Sequence, residues 1–236
     1  MPKPNNLQQT LWDIQKRFGD QAVGTLGARE AQTPVIQTGF PALDQALGVG
    51  GIPYSALTEL VGVPTSGMTT LAHHLSASVQ RSGSAVVYLD PNGTFDPDYA
   101  ARCGVDPERL LVVRPTDAAQ AVLIARDCVR TGSVALVVLD LVGLSVSGSK
   151  PLEHLRDALI RSRCVALILH RKPFPAPLDV LFQMRLRVER VGWLVQGRDV
   201  SGYQVQITVV KDKAREGERR VVLDLWTDRA VDGGEP

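Results

Sequence analysis

The chain has 236 residues, of which 44% are hydrophobic and 22% are charged, so it can bury one large core and has an ordinary globular composition. Its polar N-terminus lacks the apolar stretch of a secretory signal, and its longest apolar run, residues 134–144, is too short to span a bilayer, which predicts a soluble protein with no membrane partner. The net charge of +1 conceals a basic stretch, residues 141–220, with 15 Lys/Arg against 8 Asp/Glu; this favours a polyanionic partner such as DNA, and a solvated face with no partner is the alternative.

An amphipathic helix is predicted over residues 7–18. Four apolar residues, spaced by four, three and four positions, line one of its faces: Leu7, Leu11, Ile14 and Phe18. A segment rich in Gly, Ala and Thr follows, and residues 34–53 then predict a short strand, a helical turn and a glycine-rich break. We therefore divide the chain into an N-terminal helix and linker, residues 1–33, which is a candidate for docking on another subunit, and a core domain, residues 34–236.

From residue 57 onward, short apolar strands alternate with amphipathic helices. The strands are predicted at LTELVG, SAVVYLD, LLVVRP, VALVVLD and CVALILH. Such strands are buried on both faces, which is typical of a parallel sheet covered by helices on both sides. Beyond residue 184 the apolar period becomes two, which predicts antiparallel strands with one face in solvent. The predicted fold class is therefore α/β, with a mostly parallel central sheet and antiparallel C-terminal strands.

A glycine-containing loop, GVPTSGMTT, joins the first of these strands to a helix. Backbone N–H groups in such a loop turn towards a phosphate, and the N-terminus of the following helix adds a partial positive charge. The candidate phosphate-binding residues are Gly62, Thr65, Ser66, Gly67, Met68, Thr69 and Thr70. Thr69 stands at the position that would ligate magnesium. A strand-to-helix turn that binds nothing is the alternative.

Met68 stands where the phosphate-loop motif has its lysine. A thioether supplies no cation to the β- and γ-phosphates, and the loss of one charge-assisted contact costs about 1.5–3 kcal/mol. The loss of charge stabilisation in the transition state adds a rate penalty on the order of 10²-fold or more. We therefore expect ATP with Mg²⁺ as a weakly bound cofactor and little or no ATPase activity.

Three segments together resemble the RecA recombinase family: VIQTGFPALDQALGVGGIP, GVPTSGMTT and YLDPNGTFDPDYAARCGVD. The resemblance extends from about residue 7 to residue 227. It implies a RecA-like P-loop core in which Tyr99 stacks on adenine, Asp96 contacts the adenine amino group and Asp140 steadies magnesium. Asp140 also ends an apolar strand, where ligands bind in open α/β sheets, and an ordinary strand-terminating aspartate is the alternative.

The same resemblance implies roles for four further residues. The family's catalytic glutamate falls at Asn92, whose amide cannot accept a proton near neutral pH, so no intact catalytic set remains. Lys211 and Lys213 fall where family members reach the ATP of the neighbouring subunit, and their spacing places them on the same side of a strand. His170 falls where the family has a glutamine that senses the γ-phosphate. A plain turn at Asn92, exposed strand-end lysines and a structural histidine are the alternatives.

Family members bind single-stranded DNA with two loops, which here shrink to residues 145–150 and 171–177. Their candidate DNA-binding residues are three cations, which neutralise phosphate, and one aromatic ring, which stacks on a base: Lys150, Arg171, Lys172 and Phe174. Three prolines stiffen the second loop and remove backbone donors. We therefore expect weak DNA contact rather than strand exchange.

The three cysteines, Cys103, Cys128 and Cys164, are widely spaced and odd in number. This pattern indicates neither a disulfide framework nor a metal site, and it is typical of reduced thiols in a cytoplasmic protein.

The favoured interpretation is a DNA repair and recombination or SOS-mutagenesis accessory protein with a degenerate ATP site. It is similar to the ImuA-type relatives of RecA that accompany translesion polymerases. The expected partners are single-stranded DNA, further copies of the chain, and RecA or a translesion polymerase. One alternative is an active DNA-dependent ATPase that uses Lys211 and Lys213 in trans, and another is a structural or regulatory module that binds no nucleotide.

Overall fold

The structure is a computed structural model that describes residues 6–18, 34–197 and 199–226. The chain divides into two units, Met1–Thr33 and Pro34–Pro236. In the first unit, the predicted amphipathic helix is confirmed as α1, Asn6–Phe18, and the cations of its last turn interact favourably with the helix dipole. Within the described ranges, no helix is long and apolar enough to cross a bilayer.

The second unit begins with a small two-stranded sheet. Strand β1, Val35–Ile36, pairs antiparallel with β2, Ile52–Pro53, and helix α2, Pro41–Leu47, lies between them in the chain. Leu43 and Leu47 of this helix are fully buried and belong to the main core. The segment is therefore packed as part of the core domain, as its apolar residues require.

An eight-stranded sheet forms the centre of this unit. Its strands are β3 (Ala56–Val61), β4 (Ala85–Leu89), β5 (Leu110–Val113), β6 (Val134–Asp140), β7 (Val165–His170), β8 (Met184–Gln196), β9 (Asp199–Asp212) and β10 (Arg219–Trp226). The spatial order is β10-β9-β8-β3-β7-β6-β4-β5. The pairs from β8 through β3 to β5 are parallel, and β9 is antiparallel to β8 and β10. The α/β class is confirmed, with one refinement: β8 is antiparallel only to β9, because its other edge pairs in parallel with β3.

Helices cover both faces of the sheet. They are α3 (Met68–Arg81), α4 (Pro97–Arg102), α5 (Ala118–Arg130) and α6 (Lys150–Ile160). Alternate residues of β6 enter opposite cores: Leu136 and Val138 pack in the cluster that contains α3, whereas Val137 and Leu139 pack with α5 and α6. This two-sided burial is why the parallel strands are continuous apolar runs.

The carboxyl ends of three adjacent strands meet at one edge of the sheet. Val61, the last residue of β3, is in register with His170, and Asp140 at the end of β6 is in register with Leu169. The loops that follow β3, β6 and β7 therefore lie side by side. Ligands of open α/β sheets bind at this edge.

Candidate nucleotide-binding site

The loop between β3 and α3 has the backbone of a phosphate cradle. Thr65 and Gly67 adopt left-handed conformations, with φ of 68° and 102°. A Cβ on Gly67 would lie 2.7 Å from Val205 Cγ1 and 3.0 Å from Tyr203 Cε2, so both the turn and the close packing require glycine. The hydroxyl of Ser66 is buried and has no hydrogen-bond partner in the part of the chain that the structure describes, which leaves it available to a ligand.

A cavity of about 530 Å³ opens in front of this loop. Its volume lies within the roughly 300–1,000 Å³ usual for small-molecule sites. It is lined by residues 63–70 of the loop and by Asn92, Thr94, Asp140, Val142, Arg171 and Tyr203. The structure thus brings together the loop, Asn92 and Asp140, as the sequence predicts. It adds Arg171, which the sequence had placed in a DNA loop, and Tyr203, which sequence reasoning missed.

Met68 contributes apolar packing rather than charge. Its side chain is only 4% exposed and belongs to the apolar core cluster, together with Leu71 and Val205. Burial of a methionine side chain stabilises the fold by about 1.5–3 kcal/mol, so an apolar residue is favoured at this position. The helix N-terminus and the loop amides are therefore the phosphate-binding groups that this segment offers.

Asn92 and Asp140 meet at the end of β6. Nδ2 of Asn92 donates hydrogen bonds to the main-chain oxygens of Asp140, at 3.3 Å, and Val142, at 3.2 Å. The Asp140 carboxylate accepts from the Tyr88 hydroxyl at 3.0 Å and from Val142 N at 3.3 Å, and burial outweighs these contacts and raises its pKa. The Asn92 amide therefore binds the backbone after β6, and the oriented carboxylate of Asp140 lines the cavity.

Asp90 organises the loop that carries Asn92. Its carboxylate is fully buried and accepts from the main-chain N–H groups of Thr94 and Phe95, both at 3.0 Å. Such side-chain acceptors for consecutive amides are typical of turns that begin with aspartate. The turn therefore fixes Asn92 and Thr94 at the wall of the cavity.

A cluster of hydroxyl groups lies behind the phosphate loop. Thr70 Oγ1 is 2.6 Å from the Tyr99 hydroxyl and also contacts the hydroxyl of Tyr203, and the two tyrosine oxygens are 3.3 Å apart. Burial is the largest of the effects that raise the pKa of Tyr99, so this phenol stays neutral. Asp96 caps α4 by accepting from Tyr99 N at 2.9 Å, which holds the tyrosine in place. No local sequence pattern points to Tyr203, because the β8–β9 ladder brings it from a distant strand.

The residues at the phosphate end fit a magnesium nucleotide. Thr69 and Asp140 supply hydroxyl and carboxylate oxygens to the same cavity, and Mg²⁺ prefers oxygen ligands. The Ser66 hydroxyl, which has no partner among the described residues, and the backbone N–H groups of the loop are suited to donate hydrogen bonds to phosphate oxygens. Bound ATP with Mg²⁺ would supply a phosphoanhydride and its counterion, while these residues would bind and orient the phosphates.

Comparison with known sequences identifies the family. Residues 5–168 match the family model of the RecA N-terminal domain. The chain belongs to the RecA family. It is similar to Protein RecA of Aquifex aeolicus, with 34% identity over 257 residues, covering 94% of this chain and 74% of that protein. It is also similar to Protein RecA of Chloroflexus aurantiacus, with 31% identity over 264 residues, covering 97% and 75%.

A solved structure shows the same fold. The crystal structure of the RadB recombinase superimposes with a TM-score of 0.66 at 21% identity, over 82% of this chain and 97% of that one. The predicted resemblance to the RecA family and the predicted fold are therefore both confirmed.

The two lysines that the RecA resemblance assigns to a neighbouring subunit contact their own chain. Lys211 Nζ lies 2.6 Å from both the carboxylate and the main-chain oxygen of Asp179, and Lys213 Nζ donates to Val180 O at 2.6 Å. Both ammonium groups contact the 179–180 segment, although Lys213 lies one residue beyond the end of β9, and neither lines the cavity. Their action in trans remains a prediction, and it requires these contacts to break.

His170 connects the two loops that the RecA resemblance assigns to DNA. Its Nε2 lies 3.0 Å from Leu144 O and its Nδ1 lies 2.5 Å from Lys172 O. Its ring stacks on Phe174, with centroids 4.7 Å apart. His170 does not line the cavity, so contact with a γ-phosphate stays a prediction.

Phe174 is placed where it cannot stack on a base. Its side chain is 5% exposed, its ring packs against His170 and Phe182, and its main-chain N–H donates to the buried carboxylate of Glu59 at 3.0 Å. Glu59 is in turn ion-paired with Arg185. The expectation of a DNA-stacking ring is therefore wrong for this structure, because the apolar core covers the ring.

All three predicted DNA-binding cations are exposed, and two of them do not line the cavity. Lys150, at the start of α6, and Lys172, after β7, are both exposed. These two residues remain candidates for contact with DNA phosphates.

Proposed function

We propose that this chain is a DNA repair and recombination protein that binds ATP with Mg²⁺ weakly and hydrolyses it little or not at all. It acts by assembly on single-stranded DNA, with further copies of itself or with RecA or a translesion polymerase, as an accessory in the response to DNA damage. Membership of the RecA family supports the repair and recombination role.

The hydrogen bonds of Asn92 support slow hydrolysis at this site. The amide of Asn92 donates both to Asp140 O and to Val142 O, so the position of the family's general base holds the backbone and carries no proton acceptor. Loss of a general base costs about 10²–10⁴-fold in rate. The missing lysine at Met68 adds on the order of 10²-fold or more. If the two effects multiply, turnover falls by roughly 10⁴-fold or more.

Binding survives better than hydrolysis. Phosphate affinity depends on the loop amides, the helix N-terminus and a magnesium carboxylate, and all of these are present. A ligand that binds only the folded or assembled state stabilises that state in proportion to its occupancy. The bound nucleotide would then stabilise the assembled state without being hydrolysed.

Steady-state hydrolysis with and without single-stranded DNA tests this function. We expect phosphate release by the full chain to equal that of Asp140→Ala, while a labelled oligo-dT is still bound and the complex grows in the presence of ATP. DNA-stimulated turnover that Asp140→Ala abolishes would establish the active ATPase instead. Absence of DNA binding, with and without nucleotide, would favour the structural or regulatory module.

A further inference from the structure

Arg171 is the one cationic residue among the described residues that line the phosphate-loop cavity. The cavity also holds a single carboxylate, that of Asp140, and no positive charge comes from position 68, where the methionine is buried. A triphosphate placed there would therefore meet one protein cation.

The sheet topology fixes the position of Arg171. Strand β7 lies next to β3, and Gly62 N donates to His170 O at 3.2 Å, so residue 171 follows directly beside the first glycine of the loop. On the other side, a Cβ on Gly143 would lie 3.9 Å from both Nε and Nη2 of Arg171. The guanidinium thus lies over the loop that follows β6, between the Asp140 strand and the phosphate loop.

The donors of this guanidinium have no partner among the residues that the structure describes. Two other basic residues are paired within the chain: Arg185 with Glu59 and Lys211 with Asp179. Arg171 has no ion pair or hydrogen bond to any residue in the described ranges, and its side chain is exposed at the mouth of the cavity. An arginine with free donors at a phosphate cradle is suited to bidentate contact with phosphate oxygens.

We propose that Arg171 supplies, from within the same chain, the positive charge that Met68 removes, and that it binds the terminal phosphates of a nucleoside triphosphate held by the loop. The inference rests on the nucleotide binding in the proposed function. It assigns selectivity for phosphorylated nucleotide to Arg171, because the nucleoside end of the ligand does not need this cation.

Titration of the full chain with N-methylanthraniloyl-ATP and Mg²⁺, and separately with the matching adenosine analogue, tests this role. We expect Arg171→Ala to weaken ATP affinity by about 10-fold or more, Arg171→Lys to lie between Arg171→Ala and wild type, and adenosine affinity to stay unchanged. Arg163→Ala is the matched control, because it removes an exposed arginine at the opposite end of the same strand. Met68→Lys added to Arg171→Ala should recover affinity.

The outcomes separate the two proposals. If wild type binds the ATP analogue and Arg171→Ala binds it equally well, the role of Arg171 is overturned while nucleotide binding stands. If wild type binds no ATP analogue, both fail. A DNA phosphate is the other ligand with the same chemistry, so oligo-dT anisotropy is measured without nucleotide. Loss of DNA binding in Arg171→Ala with unchanged ATP affinity would assign the residue to DNA and overturn the proposal.

Discussion

The side-chain amide of Asn92 lies 3.3 Å from the main-chain oxygen of Asp140 and donates to it. The position of the family's base is therefore tied to the strand end that faces the phosphate loop. An amide suits this contact, because its two N–H donors reach two carbonyl oxygens, whereas a carboxylate there would face those oxygens without a proton. The RecA resemblance places the general base at this position, so we propose that Asn92 braces the backbone and supplies no base.

Restoring both hydrolytic groups should restore turnover. We expect Met68→Lys with Asn92→Glu to raise steady-state ATP hydrolysis by on the order of 10²-fold or more, since each group returns a known contribution to the rate. Met68→Lys with Asn92→Gln is the matched control, because it returns the cation without the base. Equal rates in the two double variants, with equal thermal midpoints, would contradict the assignment of Asn92.

Substitution of Gly67 should cost far more stability than substitution of a glycine that also has a positive φ but lies in open space. Gly67→Ala places a methyl group 2.7 Å from Val205 Cγ1, whereas Gly83, at φ 83°, has no atom within 4 Å of the added carbon. Both alanines cost about 1–2 kcal/mol for the left-handed backbone, and Gly67→Ala adds about 1–3 kcal/mol for overpacking. Urea unfolding measures the two losses, and similar values would argue against tight packing of the phosphate loop on β9.

Lys150 and Lys172, the cations of the predicted DNA loops that do not line the cavity, should set the salt dependence of DNA binding. Each phosphate contact to a single strand contributes about 0.7 to the slope of log affinity against log salt. We expect Lys150→Ala with Lys172→Ala to weaken oligo-dT binding and to reduce the slope by about 1.4. Arg109→Ala with Arg163→Ala removes two exposed charges next to strand amino ends and should leave the slope unchanged. A smaller slope in the arginine double variant, with an unchanged slope in the lysine double variant, would place the DNA contact at the other edge of the sheet.

Two adjacent buried histidines should make the fold acid-sensitive. Burial lowers the pKa of His73 and of His74 from 6.5 to about 4. Because the unfolded chain takes up these protons first, stabilisation that is complete above about pH 6.5 is lost as the pH falls towards 4. At about pH 5 the loss is about 2 kcal/mol per histidine.

Urea unfolding at about pH 7.5 and about pH 5 measures this loss. The variant His74→Leu should show a smaller difference between the two pH values than wild type. The exposed His154 provides the control, since His154→Leu should leave the difference unchanged. The raised pKa values of the half-buried Asp44 and the buried Asp140 act in the opposite direction in every variant, so they cancel in the comparison. An unchanged difference in His74→Leu would show that this histidine does not stay neutral in the fold.

The parts of this molecule that sequence could predict are those that depend on local pattern. Apolar runs gave the parallel strands, and the glycine loop followed by a helix gave the phosphate cradle at Gly67. Arg171 and Phe174, three residues apart in one loop, show the limit, because one lines the cavity and the other is buried against Phe182. The positions of these two side chains depend on which strands are neighbours in the sheet and on the buried carboxylate of Glu59. The residue spacing within the loop indicates neither.

We propose that this RecA-family site binds ATP and hydrolyses it little or not at all. A single-turnover reaction tests it most directly, with the full chain in excess over radiolabelled ATP in the presence of Mg²⁺ and single-stranded DNA. We expect bound nucleotide to be recovered as ATP from wild type, while Met68→Lys with Asn92→Glu converts it to ADP. Conversion to ADP by wild type at the rate of that double variant would contradict this proposal.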